Sequence, residues 1–147
     1  DLYTRAKVDE LVEVINGWRA AFTPTFSIED LDEKIAARQA LFAEDGKMDR
    51  ALKAISKVFE QSSTGWLAST ESMSIADVKG FMDTFMMFSG QFDGITADML
   101  ANYPSLLAFH EKMSNEPLVK NYYENADEAR WVFLPGAFND VGTSQHI

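Results

Sequence analysis

The chain has 147 residues, with 13 basic and 23 acidic side chains and a formal charge of −10. That length suits one domain, and 46% apolar residues with 12% aromatics can fill a core, which excludes a disordered chain. The acidic balance argues against a nucleic-acid partner, which needs clustered Lys and Arg, and against docking on anionic lipid. Without cysteine there is no disulfide, thiolate metal site or cysteine nucleophile. No window approaches the roughly 18 apolar residues of a membrane span, so membrane insertion is not expected. The richest stretch, 81–92, is broken by Asp83, Ser89, Gly90 and Gln91. The opening DLYTRAKVDE holds no apolar signal-peptide core and no initiating Met. A processed, truncated or half-length chain is therefore expected, cytoplasmic or in a soluble organellar compartment.

Helical periodicity dominates. Leu11, Ile15, Trp18 and Phe22 recur at spacings of four, three and four, which predicts a first helix over 2–22. Pro24 interrupts it. Ser27, with Asp30 three residues on, is the expected cap of a second helix that turns Leu31, Ile35 and Leu41 or Phe42 inward. Asp45-Gly46 stops that helix, and a third over 48–60 buries Leu52, Ile55, Val58 and Phe59. Residues 62–65 read as a loop and 66–70 as a short segment, extended at best. A strongly apolar helix then runs from Val78 through Phe81, Met82, Phe85 and Phe88 to Phe92. Thr96 caps a brief turn through Leu100. Pro104 suits the first position of the next helix, where its missing N–H costs nothing. That helix carries Leu106, Leu107, His110 and Met113, and a last one covers 118–129. Beyond Trp131 the chain reads as a tail. The fold class is all-α, a bundle of about six helices.

Few residue patterns suggest chemistry. His110 and His146 stand alone, without the paired spacing that metal ligation uses, so no metal is expected. Glu44-Asp45-Gly46 lacks the alternating oxygens of a calcium loop. Glu124, Asp127 and Glu128 read as a solvated helix face. Neither G-x-S-x-G nor a phosphate-binding glycine pattern occurs, and no catalytic residue is assigned. His110 lies on an apolar stripe, where a core histidine is the commoner reading than a catalytic one. The Met and Phe stripe over 78–92 is read as a central core helix rather than a cofactor box. Its beginning is more specific. Ser74 stands at the N-cap and Asp77 three residues on, a capping box, with Met73 placed to staple on Val78.

S-I-A-D (74–77) opening an apolar helix resembles the capping box and staple of the glutathione S-transferase C-terminal domain. Two further blocks fall in the same order. R-A-K-V-D-E-L-V-E-V (5–14) resembles that domain's first helix, and G-W-L-A-S-T-E-S-M-S-I-A-D (65–77) its loop into the buried helix. Y-P-S-L-L-A-F-H-E-K-M-S-N-E-P-L-V-K-N-Y (103–122) resembles its Tyr-Pro helix and the proline that opens the next. The likeness, nearest the sigma-like and related classes, implies a helical domain over 1–138 and a polar tail over 139–147. It implies a thioredoxin-like N-terminal domain that holds glutathione and the catalytic group, which this chain does not contain. The chain alone is therefore expected to be inactive, and a transferase only when joined to that domain. The likeness also implies a wall for a small apolar electrophile, lined by Trp18, Arg19 and Phe22 with Trp131, Phe133 and Phe138 facing them. Ordinary core burial competes for Trp18 and Phe22. Relatives place an acid where this chain has Asn16 and Gly17, so Asn16 is the residue left to meet glutathione, without charge assistance. A homodimer through α-helical contacts at Val8 and Val12, or a larger protein assembly, is implied. A non-catalytic scaffold that retains the fold is the competing function.

Overall fold

The computed structural model describes residues 1–126 and 128–142, and every regular element among them is helical. Helix α1 (Leu2–Phe22) starts where the Asp1 carboxylate accepts the Thr4 N–H at 2.8 Å, and it turns Ile15, Trp18 and Phe22 into the core. Pro24 then tightens the chain into a 3-10 turn, Thr23–Ser27. Helix α2 (Leu31–Phe42) is capped by Asp30, whose carboxylate accepts the Glu33 N–H at 2.9 Å. Ser27 is not the cap, because the 3-10 turn consumes it: its hydroxyl donates to the Pro24 carbonyl at 2.9 Å. Leu31 is exposed rather than inward, and the buried residues of α2 are Arg38 and Phe42.

Helix α3 (Lys47–Glu60) begins directly after Gly46, where any Cβ would collide with the Leu41 carbonyl. It buries Met48, Leu52 and Ile55, with Val58 and Phe59 half-buried. The segment 66–70 is a turn, not a strand. Helix α4 (Ile75–Met86) is central and packs against α1, against α5 (Pro104–Asn115) and against the C-terminal segment. Gly80 sits at its crossing with α1: a Cβ there would lie 3.0 Å from Leu67 Cδ1 and 3.5 Å from Ile15 Cδ1. The helix ends at Met86, short of Phe92. Phe88 and Ser89 bond back three residues, and Gly90 takes φ +85°, which only glycine adopts freely.

After a 3-10 turn, Ala97–Asn102, Pro104 opens α5 and Pro117 opens α6 (Pro117–Tyr123). The last helix is thus half the expected length. A 3-10 segment, Glu128–Phe133, follows, kinked at Arg130. The described residues beyond Trp131 pack against the domain. Val132, Phe133 and Phe138 are buried at 0%, 1% and 6% exposure, so they close the core as an apolar strap. Residues 143–147, and with them His146, lie outside the described residues.

Candidate functional site

The start of α4 is fixed by one carboxylate. Asp77 is fully buried, and the Ser74–Asp77 capping box is present. Asp77 Oδ2 accepts the Ser74 N–H at 2.8 Å and the Ser74 hydroxyl at 2.7 Å, while Oδ1 accepts the Leu67 N–H at 2.7 Å. The last bond was not legible in the sequence. It ties the loop before α4 to the helix itself. Met73 and Val78, on either side of the cap, both pack on the core.

Two apolar clefts flank α4. The first, about 370 Å³, is lined by Trp18, Arg19 and Phe22 from α1, with Met86, Met87 and Phe92 opposite. Phe26 and Asp83 complete its edge. Phe22, Phe26 and Phe92 stand edge to face, with centroids 5.3–6.0 Å apart. The buried guanidinium of Arg38 lies over all three rings, 5.2 Å from the first two and 5.9 Å from the third. Arg38 Nε donates to Thr25 Oγ1 at 3.1 Å and Nη1 to the Asp93 carbonyl at 3.2 Å. The cation therefore positions the aromatic wall. The indole N–H of Trp18, covered by its neighbours, has no hydrogen-bond partner.

The second cleft, about 450 Å³, shares Met86 with the first. From the loop before α4 comes Met73 and from α4 itself Val78 and Met82; from α6 come Leu118, Val119, Tyr122 and Tyr123. Arg130 and Phe133 complete its lining.

The expected site residues divide between these places. Trp18, Arg19 and Phe22 meet in the first cleft, and Phe133 belongs to the second. Trp131 and Phe138 line a separate hollow, their rings 5.5 Å apart, and Trp131 Nε1 donates to the Ser89 carbonyl at 3.4 Å. The strap aromatics thus do not face the α1 residues. Asn16 is exposed on α1 and its amide donates to Glu13 Oε1 at 3.2 Å. The residues not foreseen are Phe26, Asp83, Met86 and Phe92 in the first cleft, and Tyr122, Tyr123 and Arg130 in the second. Met86 and Phe92 lie in the stripe over 78–92, which the sequence assigns to the core rather than to a cleft.

Two buried polar groups complete the picture. His110 Nε2 lies 2.7 Å from the Val132 carbonyl, to which it donates, and its ring is 4.6 Å from Phe85 and 4.9 Å from Phe138. Burial lowers its pKa to about 4 despite that hydrogen bond. It is therefore neutral at pH 7 and serves the core. Asp49 accepts from Tyr103 Oη at 2.7 Å, Lys53 Nζ at 2.8 Å and the Asp45 N–H at 2.9 Å. Burial alone would raise its carboxyl; these bonds outweigh it and hold the group below the usual range. Burial and the same carboxylate push the Tyr103 phenol up. Among the described residues no cluster of three or more His, Asp or Glu could hold a metal ion, and no helix is long and apolar enough to cross a membrane.

The described residues thus form an all-helical bundle around a boxed central helix, with apolar clefts beside it. The family model described as glutathione S-transferase, C-terminal domain, matches residues 17–126, well over half the chain, and the protein belongs to that family. No curated protein and no solved structure matches it.

Proposed function

We propose that this chain is the helical half of a glutathione-conjugating protein, with the first cleft forming the wall that receives the apolar electrophile. The observation that carries the reading is the convergence of Trp18, Arg19 and Phe22 with Met86 and Phe92 around about 370 Å³ of largely apolar space, in a chain of this family. Pockets of this size and lining suit small apolar ligands. A thioredoxin-like domain supplies the thiolate, and glutathione is its co-substrate. Asn16, exposed on α1, offers an uncharged contact to it. The outer face of α1, with Val8 and Val12 half-buried, is the surface for a second subunit. The working environment is aqueous, cytoplasmic or within an organelle.

Phe92→Asp is the informative variant, because Phe92 is only half-buried. It should weaken binding of an apolar electrophile to the chain at least tenfold while far-UV circular dichroism is unchanged. Equal affinity in both proteins removes the first cleft from the reading. The chain alone should not accelerate conjugation of glutathione, and turnover above background refutes the assignment of the thiolate to another domain. A non-catalytic scaffold is the second reading, favoured by the uncharged Asn16-Gly17 pair where relatives carry an acid. Joining the chain to a thioredoxin-like domain and finding no turnover would support it.

A further inference from the structure

Two Ser or Thr residues in the sequence are followed by an acid three positions on, Ser27 in S-I-E-D and Ser74 in S-I-A-D. The fold uses the second pair internally: the Ser74 hydroxyl donates to fully buried Asp77, and the box starts α4. The first pair forms no box. Ser27 ends the Thr23–Ser27 turn and is exposed, with one local bond from its hydroxyl to the Pro24 carbonyl. Asp30 caps α2 through Oδ1 and is itself exposed. Glu29, Asp32 and Glu33 are exposed as well, so acids stand two, three, five and six residues after the hydroxyl. No base occurs between Arg19 and Lys34. Ile28 and Asp30 have extended backbone, with ψ 118° and 127°. A chain already extended loses little entropy on entering a groove that binds extended peptide.

We propose that Ser27 is a phosphorylation site for an acid-directed Ser/Thr kinase, which reads Glu29, Asp30 and the acids beyond through its own Lys and Arg side chains. The flanking residues exclude other kinase classes. Pro24 and Thr25 stand where base-directed kinases need Arg, and Ile28 stands where proline-directed ones need Pro. Freeing the Ser27 hydroxyl breaks one exposed hydrogen bond, to the Pro24 carbonyl. Its oxygen then bonds the γ-phosphorus of a nucleoside triphosphate as the bond to the bridging oxygen breaks. The diphosphate leaves, and the hydroxyl proton passes to the kinase's base. The product carries up to about two further negative charges, one residue from Phe26 of the first cleft. The proposal does not depend on what that cleft binds.

The test incubates the folded chain with γ-labelled ATP, magnesium and casein kinase II, and in parallel with the base-directed protein kinase A. The first should incorporate about one phosphate per chain, and the second none. Peptide mass mapping should place that phosphate on Ser27 and none on Ser74. Ser27→Ala should abolish incorporation. Asp30→Asn keeps an oxygen for the Glu33 N–H but loses the charge. It should lower the initial rate about tenfold, with far-UV circular dichroism unchanged. Absent incorporation, phosphate mapped elsewhere, or an unaltered rate in Asp30→Asn overturns the proposal. Incorporation only after unfolding in urea overturns it as well, because the turn would then shield the serine in the folded chain.

Discussion

Asp77 shows how much one side chain can decide. Its two oxygens accept three bonds, from Ser74 twice and from Leu67 once. Removing it leaves buried donors unmet on both the helix and the loop, and bonds to a charged acceptor are the stronger kind. Asp77→Ala should therefore lower unfolding free energy by about 3 kcal/mol in urea titrations, and Ser74→Ala by about 1 kcal/mol. Equal losses in the two would show that the Leu67 bond contributes nothing. His110 makes a prediction with a sign. Its folded pKa is about 4 and its ordinary value 6.5, so between these the unfolded chain takes a proton that the folded one refuses. Stability is full above pH 6.5 and falls as pH drops toward 4, by about 3 kcal/mol in the limit. His110→Gln keeps a donor for Val132 but cannot titrate. It should flatten the difference in melting temperature between pH 7 and pH 5.

At the scale of elements, Arg38 joins three pieces that share no regular structure: α2, the Thr23–Ser27 turn and the loop at Asp93. Asp93 is 60% exposed and 3.8 Å away as an ion pair, so the pair itself contributes little. The carbonyl bond and the three rings matter more. Arg38→Ala should destabilise by about 3 kcal/mol, whereas Asp93→Ala should cost under about 1 kcal/mol; similar losses would return the weight to the ion pair. The signal was present in the sequence, since Ile35, Arg38 and Phe42 share one helical face, but a cation on an apolar stripe is normally read as solvated. Helix starts were legible where a proline fixed them, as at Pro104 and Pro117, whereas α2 starts at Asp30 and not at the expected Ser27. Helix ends were less so. The Phe88 periodicity continues after α4 has unwound, because burial rather than helix geometry spaces those rings. Gly80 was silent for a related reason: its role depends on Leu67 and Ile15, both far away in sequence. Gly80→Val should lose about 2 kcal/mol through overpacking at the α1 crossing, and an unchanged chemical denaturation midpoint would show that Leu67 gives way freely.

For the whole molecule, the strap decides the shape. Phe133 stacks on Phe81 and Tyr123, at 5.3 and 4.6 Å between centroids, and Phe138 on Phe85 at 5.5 Å. The apolar run after Trp131 was visible in sequence, but which surface it covered was not, because that choice depends on the tertiary placement of α4 and α5. Hence the expected six-residue wall divides between two clefts and a hollow. The net charge of −10 adds a global repulsion that salt screens. The melting temperature at pH 7 should rise by a few degrees, of order 1 kcal/mol, between low salt and about 0.3 M; a fall would mean that specific ion pairs outweigh the net charge.

The methionines of the clefts give the molecule a chemical vulnerability. Seven methionines and no cysteine leave thioether sulfur as its principal target for peroxide. Met82 is 41% exposed, while Met86 forms the shared wall between the clefts. Adding one oxygen to either sulfur converts a pliable apolar chain into a polar, stereogenic one. Mild oxidation should thus wet the second cleft first, then loosen the partition with the first, while the buried strap and the boxed start of α4 stay intact. Methionine sulfoxide reductase would reverse the change, so peptide mapping before and after its action offers a direct reading of which wall yields first.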